Sequence, residues 1–125
     1  MDKTIEQEIQ AKGLTAPRVT PADIEAEIAS TAYFTAAQGH RAAMLDATSE
    51  ASGCIPSHDN PPQLGLLTFC VLVLRNGFTV TGESACASPE NFDAEIGRQI
   101  ARQNAVAKVW PLLGFRLRDK LAGGA

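Results

Sequence analysis

The chain has 125 residues, 45% hydrophobic and 20% charged, with a formal net charge of −3. These values fit one globular domain of about 100–150 residues and exclude wholesale disorder or a second sizeable core. The charge is uneven: from Ile96 onward six Lys/Arg stand against the single acid Asp119, a surplus of +5 that leaves −8 elsewhere. A basic final third suits an anionic ligand or an acidic partner, although ordinary solvated faces give the same count.

Met1 to Gln10 is charged throughout, unlike a secretory signal, and the longest apolar run, Leu64 to Leu74, is too short to span a bilayer. Cys54, Cys70 and Cys86 are odd in number and form no C-x-x-C pair, so packed, reduced thiols in a cytosolic protein are expected.

Thr4 and Gln7 can cap a short helix carrying Ile5 and Ile9, which Lys12-Gly13 would stop. A stronger start follows. Thr20 is an N-cap, Pro21 takes the first helical position, Asp23 can close a capping box, and Val19 with Ile24 forms a hydrophobic staple. Ile24, Ile28 and Ala32 at i, i+4 spacing extend this helix to about residues 21–33. Residues 35–65 then read as a long connection rich in Ala, Ser, Gly, Asp and Pro, with Ala42 to Met44 able to extend a helix.

Leu66–Leu74 reads as a strand, Asn76-Gly77 as a two-residue type I′ turn, and Phe78–Cys86 as the returning strand. That turn would set Arg75 opposite Phe78, Val73 opposite Val80 and Val71 opposite Gly82. Strand one is apolar on both faces, which asks for a subunit interface on one of them. Ser88-Pro89 then opens a long C-terminal helix, about 89–110, with an apolar stripe of Phe92, Ile96, Ile100, Ala107 and Trp110. Gly97, Ala101 and Ala105 form a small-residue row beside it, and Pro111 should end it. Phe115–Arg118 alternates as a short third strand would, while Leu117 and Leu121 fit a helix equally well. The expected fold is one α+β domain over 1–125: an antiparallel hairpin sheet packed with an N-terminal and a long C-terminal helix.

Few residues carry chemistry. Ser57-His58-Asp59 are adjacent and point in different directions, whereas triads are assembled from separated positions. His40, His58 and the cysteines lack zinc spacing, and no Gly-rich phosphate loop is present. Glu83 and Asp93 can pair for acid–base or magnesium work, but an edge-strand Glu and a helix-start Asp are the commoner case and explain them without chemistry. Asn91, Phe92 and Asp93 at a helix start suit phosphate or ribose oxygens, against the bland reading of a capping turn. Arg75, Phe78, Trp110 and Arg116 supply flat apolar surfaces and guanidinium groups for stacking a base and gripping phosphate, against the commoner use of Trp and Phe in a core.

Leu67 to Cys86 with its N-G-F, Ser88 to Asp93 with E-N-F-D, Asn104 to Pro111 with W-P, and Gly114 to Arg118 resemble the gene-product-forty-nine-like family of small tailed-phage proteins, as does Leu14 to Ile24. The resemblance implies a phage anti-defence sponge, because the family includes a Thoeris anti-defence protein that sequesters cyclic ADP-ribose isomers made by TIR-domain enzymes, without cleaving them. It implies a homo-oligomer, dimer or hexamer, in the cytoplasm of the infected host, with cyclic trinucleotides as further ligands. Neither a membrane, a nucleic-acid polymer, a cofactor nor a metal is expected. On this reading Phe78 or Trp110 stacks on adenine, Lys108 and the arginines neutralise phosphate, and Asn91 with Asp93 holds ribose. A phosphodiesterase and a protein-interaction module that blocks a host factor stay open.

Overall fold

The Thr20 capping signal acts where the sequence places it, whereas the expected caps at Thr4 and Ser88 do not start the first helix or the long C-terminal helix. In a computed structural model, which describes residues 2–49 and 61–123, Asp23 N–H donates to Thr20 Oγ1 at 3.1 Å and Thr20 N–H donates to Asp23 Oδ2 at 2.9 Å. This capping box starts α2, Pro21–Glu27. Before it, α1 spans Asp2–Ala11 with Thr4 inside the helix. It ends in a Schellman turn: Leu14 N–H donates to Ile9 C=O, Gly13 N–H to Gln10 C=O, and Gly13 takes φ +67°.

The helix expected over 21–33 stops at Glu27. Ile28–Thr35 is instead β1, an edge strand of a three-stranded antiparallel sheet ordered β1-β2-β3. The i, i+4 aliphatics favoured helix, but Ser30, Thr31, Tyr33, Phe34 and Thr35 are β-branched, aromatic or short polar residues that weaken it. Pairing with β2, Leu67–Leu74, then decides the matter. The expected connection over 35–65 also contains structure. Helix α3, Ala36–Ser49, starts at a second capping box, in which Thr35 N–H donates to Gln38 Oε1 and Gln38 N–H to Thr35 Oγ1. A 3-10 turn, Pro62–Leu66, leads into β2. Cys54 and the Ser57-His58-Asp59 run lie outside the described residues.

β3 is Thr79–Ala85, and its register differs from the expected one by a residue. The turn has three loop residues: Leu74 N–H donates to Phe78 C=O, Gly77 N–H donates to Leu74 C=O, and Phe78 N–H donates to Asn76 Oδ1. Gly77 alone takes positive φ, at +88°, so this is a type I turn closed by a glycine bulge in place of a type I′ turn. The one-residue shift sets Val80 opposite Leu72 and Gly82 opposite Cys70, on the buried face.

Helix α4, Ala94–Leu121, covers that face. Its N-cap is Asp93, whose Oδ1 accepts from Ile96 N–H at 3.0 Å, while Ser88 and Pro89 begin a separate 3-10 turn, Pro89–Asn91. Nor does Pro111 end the helix. It removes one donor for the Ala107 carbonyl, on the exposed side where water can replace it, and the helix runs on through Phe115–Arg118. The face turned to the sheet is the small-residue row, Gly97, Ala101 and Ala105, continued by Val109 and Leu113. Of the expected apolar stripe, Ile96, Ile100 and Ala107 are exposed, Phe92 is half-buried, and Trp110 packs against the edge of the core.

Small residues are needed because helix and sheet backbones nearly touch. A Cβ at Gly82 would stand 2.2 Å from both the Ala101 carbonyl oxygen and the Ala105 nitrogen. Nearby, Asn104 Nδ2 donates to the Glu83 carbonyl of β3 at 2.7 Å. Cys70, Leu72, Leu74, Val80 and Ile24 complete the core. On the opposite face Phe34 meets Phe69 with ring centroids 5.6 Å apart, and α3 lies at that end, where a side chain on Gly39 would touch Phe34. Val71 and Val73 remain half-buried there.

Gly82→Ala should therefore lower unfolding free energy in urea by at least about 3 kcal/mol, the upper part of the overpacking range, since backbone has to move. Gly77→Val should cost about 1–3 kcal/mol through positive φ alone, with no clash, because open space surrounds that position.

Candidate functional site

The basic third of the sequence folds against acids from the first third. Arg116 on α4 makes a two-pronged pair with Glu27 at the end of α2, at 2.8 and 3.1 Å, and Arg102 pairs with Glu25 at 2.9 Å. Glu27 also accepts the Arg75 N–H through its backbone carbonyl at 2.9 Å. One residue thus ties α2, the hairpin loop and α4 together. Its side chain is 12% exposed, and the Arg116 guanidinium holds its carboxyl below the ordinary 4.5. Arg18 pairs likewise with Glu6 of α1 at 2.7 Å, and holds that carboxyl at about 2.

Around Glu27 lies a cleft of about 310 Å³ with a cationic rim of Arg18, Arg75, Arg116 and Lys120 over Val19, Leu113 and Leu117. Asp23 and Glu27 balance part of that charge. Phe78, 55% exposed, follows the same hairpin turn. Arg75, Phe78 and Arg116 are thereby gathered at one end of the molecule.

The remaining expected site residues lie elsewhere. Asn91 is exposed, Phe92 is half-buried, and Asp93 engages the α4 N-terminus as its cap. Asp93 and Arg116 are separated by most of α4, about 35 Å at 1.5 Å per residue, too far for one small ligand within one protomer. Lys108 is exposed and lines none of the described clefts. Trp110, half-buried, faces α1 and α2 and borders two further clefts, of about 230 and 520 Å³.

Arg18, Lys120, Asp23 and Glu27 are cleft residues that the sequence did not single out. No spacing rule brings them into one cleft, which draws on α2 and the far end of α4, Glu27 and Arg116 being 89 positions apart. The described thiols are free, and burial raises the pKa of Cys70, which suits packing. Among the described residues no group of three metal-ligating side chains gathers, and no helix is long and apolar enough to cross a membrane.

Fold and site together define a small two-layer α+β protein, one helix on one face of a three-stranded sheet, with a charged cleft at the hairpin end. More narrowly, the chain belongs to the phage protein family described as N4 Gp49/phage Sf6 gene 66, whose model matches residues 19–121. This agrees with the N-G-F, E-N-F-D and W-P motifs, while α1 and its turn lie before the matched region. No curated protein and no solved structure matches the chain.

Arg116→Ala should cost about 1–2 kcal/mol, more than an exposed pair because Glu27 is left covered, less than a fully buried one because Arg116 is half exposed. Glu27 has a lowered folded pKa, so the pair stabilises above the ordinary carboxylate value and the effect is lost as pH falls through the lowered one. The gap in melting temperature between wild type and Arg116→Ala should accordingly narrow as pH falls from neutral to below the ordinary carboxylate value, and close once Glu27 is protonated in the folded state. Asp93→Ala should cost about 1 kcal/mol as a lost N-cap.

Proposed function

We propose that this phage protein acts in the cytoplasm of the infected bacterium as a sponge. It binds a cyclic nucleotide alarm signal of the cyclic ADP-ribose type, and also cyclic trinucleotides, and holds them intact. The observation that carries the reading is the cluster at the hairpin end: Arg75, Arg116, Arg18 and Lys120 around an apolar floor, with Phe78 exposed beside the turn. Cations for phosphate and an aromatic face for a base are what such a ligand demands. Family membership and the motif resemblance add to it.

The cleft, at about 310 Å³, is small for a whole ligand, since small-molecule sites span about 300–1,000 Å³. Asn91 and Asp93, about 35 Å away along α4, complete the site if a second copy lies antiparallel to the first. The sheet face carrying Phe69, Val71 and Val73 and the outward Ile96 and Ile100 supply apolar surface for that assembly. Near-complete enclosure between protomers is also what nanomolar trapping, about −12 kcal/mol, requires of a small ligand.

Calorimetry against cyclic ADP-ribose isomers and cyclic trinucleotides, followed by heat denaturation and chromatography of the supernatant, tests this. The input nucleotide should be recovered unchanged. Linear product would make the protein a phosphodiesterase, and absence of binding would favour a module that blocks a host protein through the exposed strand face. Arg75→Ala and Phe78→Ala should each weaken binding by about 10-fold or more, as a lost charged hydrogen bond or stacking contact does, with melting temperature nearly unchanged. Light scattering should find a dimer or larger assembly.

A further inference from the structure

Helix α1 lies before the family's matched region and contributes nothing to the buried core cluster. Its residues nevertheless wall two clefts that share Trp110 and Pro21. Ile5, Glu6 and Ile9 face Arg18 and Val19 across the smaller one, and Lys3 stands over Ile24, Arg102 and Val106 in the larger. Ile5 stays 52% exposed although it is a main apolar residue of α1. The helix therefore bridges a groove without filling it. The Glu6–Arg18 pair fastens it, and Gly13 at φ +67° turns the chain back toward Arg18.

We propose that this groove is a second ligand site, for a planar aromatic anion, and that α1 is its built-in cover. With α1 lifted, Trp110 and Pro21 offer flat apolar walls, Val19 and Ile24 a floor, and Arg18 a guanidinium that has lost its Glu6 partner at the edge, with Asp23 as the remaining acid near it. In the closed form the Glu6 carboxylate takes the place on Arg18 that the ligand's anionic group takes in the open one. An aromatic anion is favoured over a neutral apolar molecule because lifting α1 uncovers a cation, which a neutral ligand would leave unpaired. The groove shares Arg18 and Val19 with the cleft around Glu27, but Pro21 and Trp110 line it and not that cleft, so loss of dye affinity on Trp110→Leu separates this site from the proposed sponge site.

The test uses the full chain, whose single tryptophan is the reporter. Glu6→Ala and Arg18→Met both break the clasp, and both should raise acrylamide quenching of Trp110 while the main melting transition stays cooperative. An anilinonaphthalene sulfonate serves as the probe. It should bind Glu6→Ala about 10-fold tighter than Arg18→Met, the worth of a hydrogen bond to a charged group, and wild type should bind more weakly than Glu6→Ala. Adding Trp110→Leu to Glu6→Ala should weaken the gain. Unchanged quenching in both clasp variants would overturn the cover, and equal dye affinity in both would overturn Arg18 as the anion's partner. If either substitution abolishes the cooperative melt, wild type in molar salt, where the pair is screened, should give the same rise in quenching, and no rise there overturns the proposal.

Discussion

The near contact between Gly82 of β3 and the backbone of α4 at Ala101 and Ala105 governs the arrangement of the molecule. No side chain larger than hydrogen fits there, so the sheet can accept α4 only along its row of small residues. That choice rotates the helix. Val109 and Leu113 continue the buried row, while Ile96 and Ile100 turn to the outside. It also requires Gly82 to share a face with Cys70, which the three-residue hairpin loop provides and a two-residue loop would not. Turn geometry, strand register and helix orientation are thus one linked constraint, and the Asn104 bond to the Glu83 carbonyl fixes the helix along the strand as well.

Electrostatics organises the other end. The basic third of the sequence suggests a free cationic surface, but Arg102 and Arg116 each meet an acid on α2, and Arg18 meets one on α1. The cationic character that is left is therefore local: the rim around Glu27, where Arg75 and Lys120 join the paired arginines. The same ion pairs have a structural effect. Glu27 receives α4 through its carboxylate and the hairpin loop through its carbonyl. Elements that present the cleft are held by the residue at its centre, so under the proposed function substitutions of Glu27 or Arg116 would change stability and binding together, whereas the side chains of Arg75 and Phe78 would change binding alone.

Length and apolar surface connect the fold to assembly. A long α4 puts the helix-start residues and the hairpin-end residues at opposite ends of the protomer, and the sheet has a helix layer on only one face. On the other face α3 reaches the Phe34 end, leaving half-buried valines beside it. A second copy would answer both features in one step.

The sequence by itself determined the features that depend on neighbours along the chain. Thr20-Pro21 with Asp23 made a helix start, the apolar run at Leu67–Leu74 made a central strand, Gly77 marked the turn, and the phage-family motifs were all in view. Thr35-Ala-Ala-Gln38 is an equally local helix start, set within an Ala-rich stretch whose composition otherwise resembles a loop. Tertiary structure decided the rest. Ile28–Thr35 became a strand because β2 offered it an edge, against the helical spacing of Ile24, Ile28 and Ala32. Pro111 stayed inside a helix because Leu113 is buried and Arg116 is tied to Glu27 beyond it, and a lost backbone bond facing water is cheaper than losing those contacts. Likewise, the face of α4 that entered the core was set by how closely two backbones could approach, a distance from Gly82 to residues 19 and 23 positions further on that no periodicity along one helix encodes.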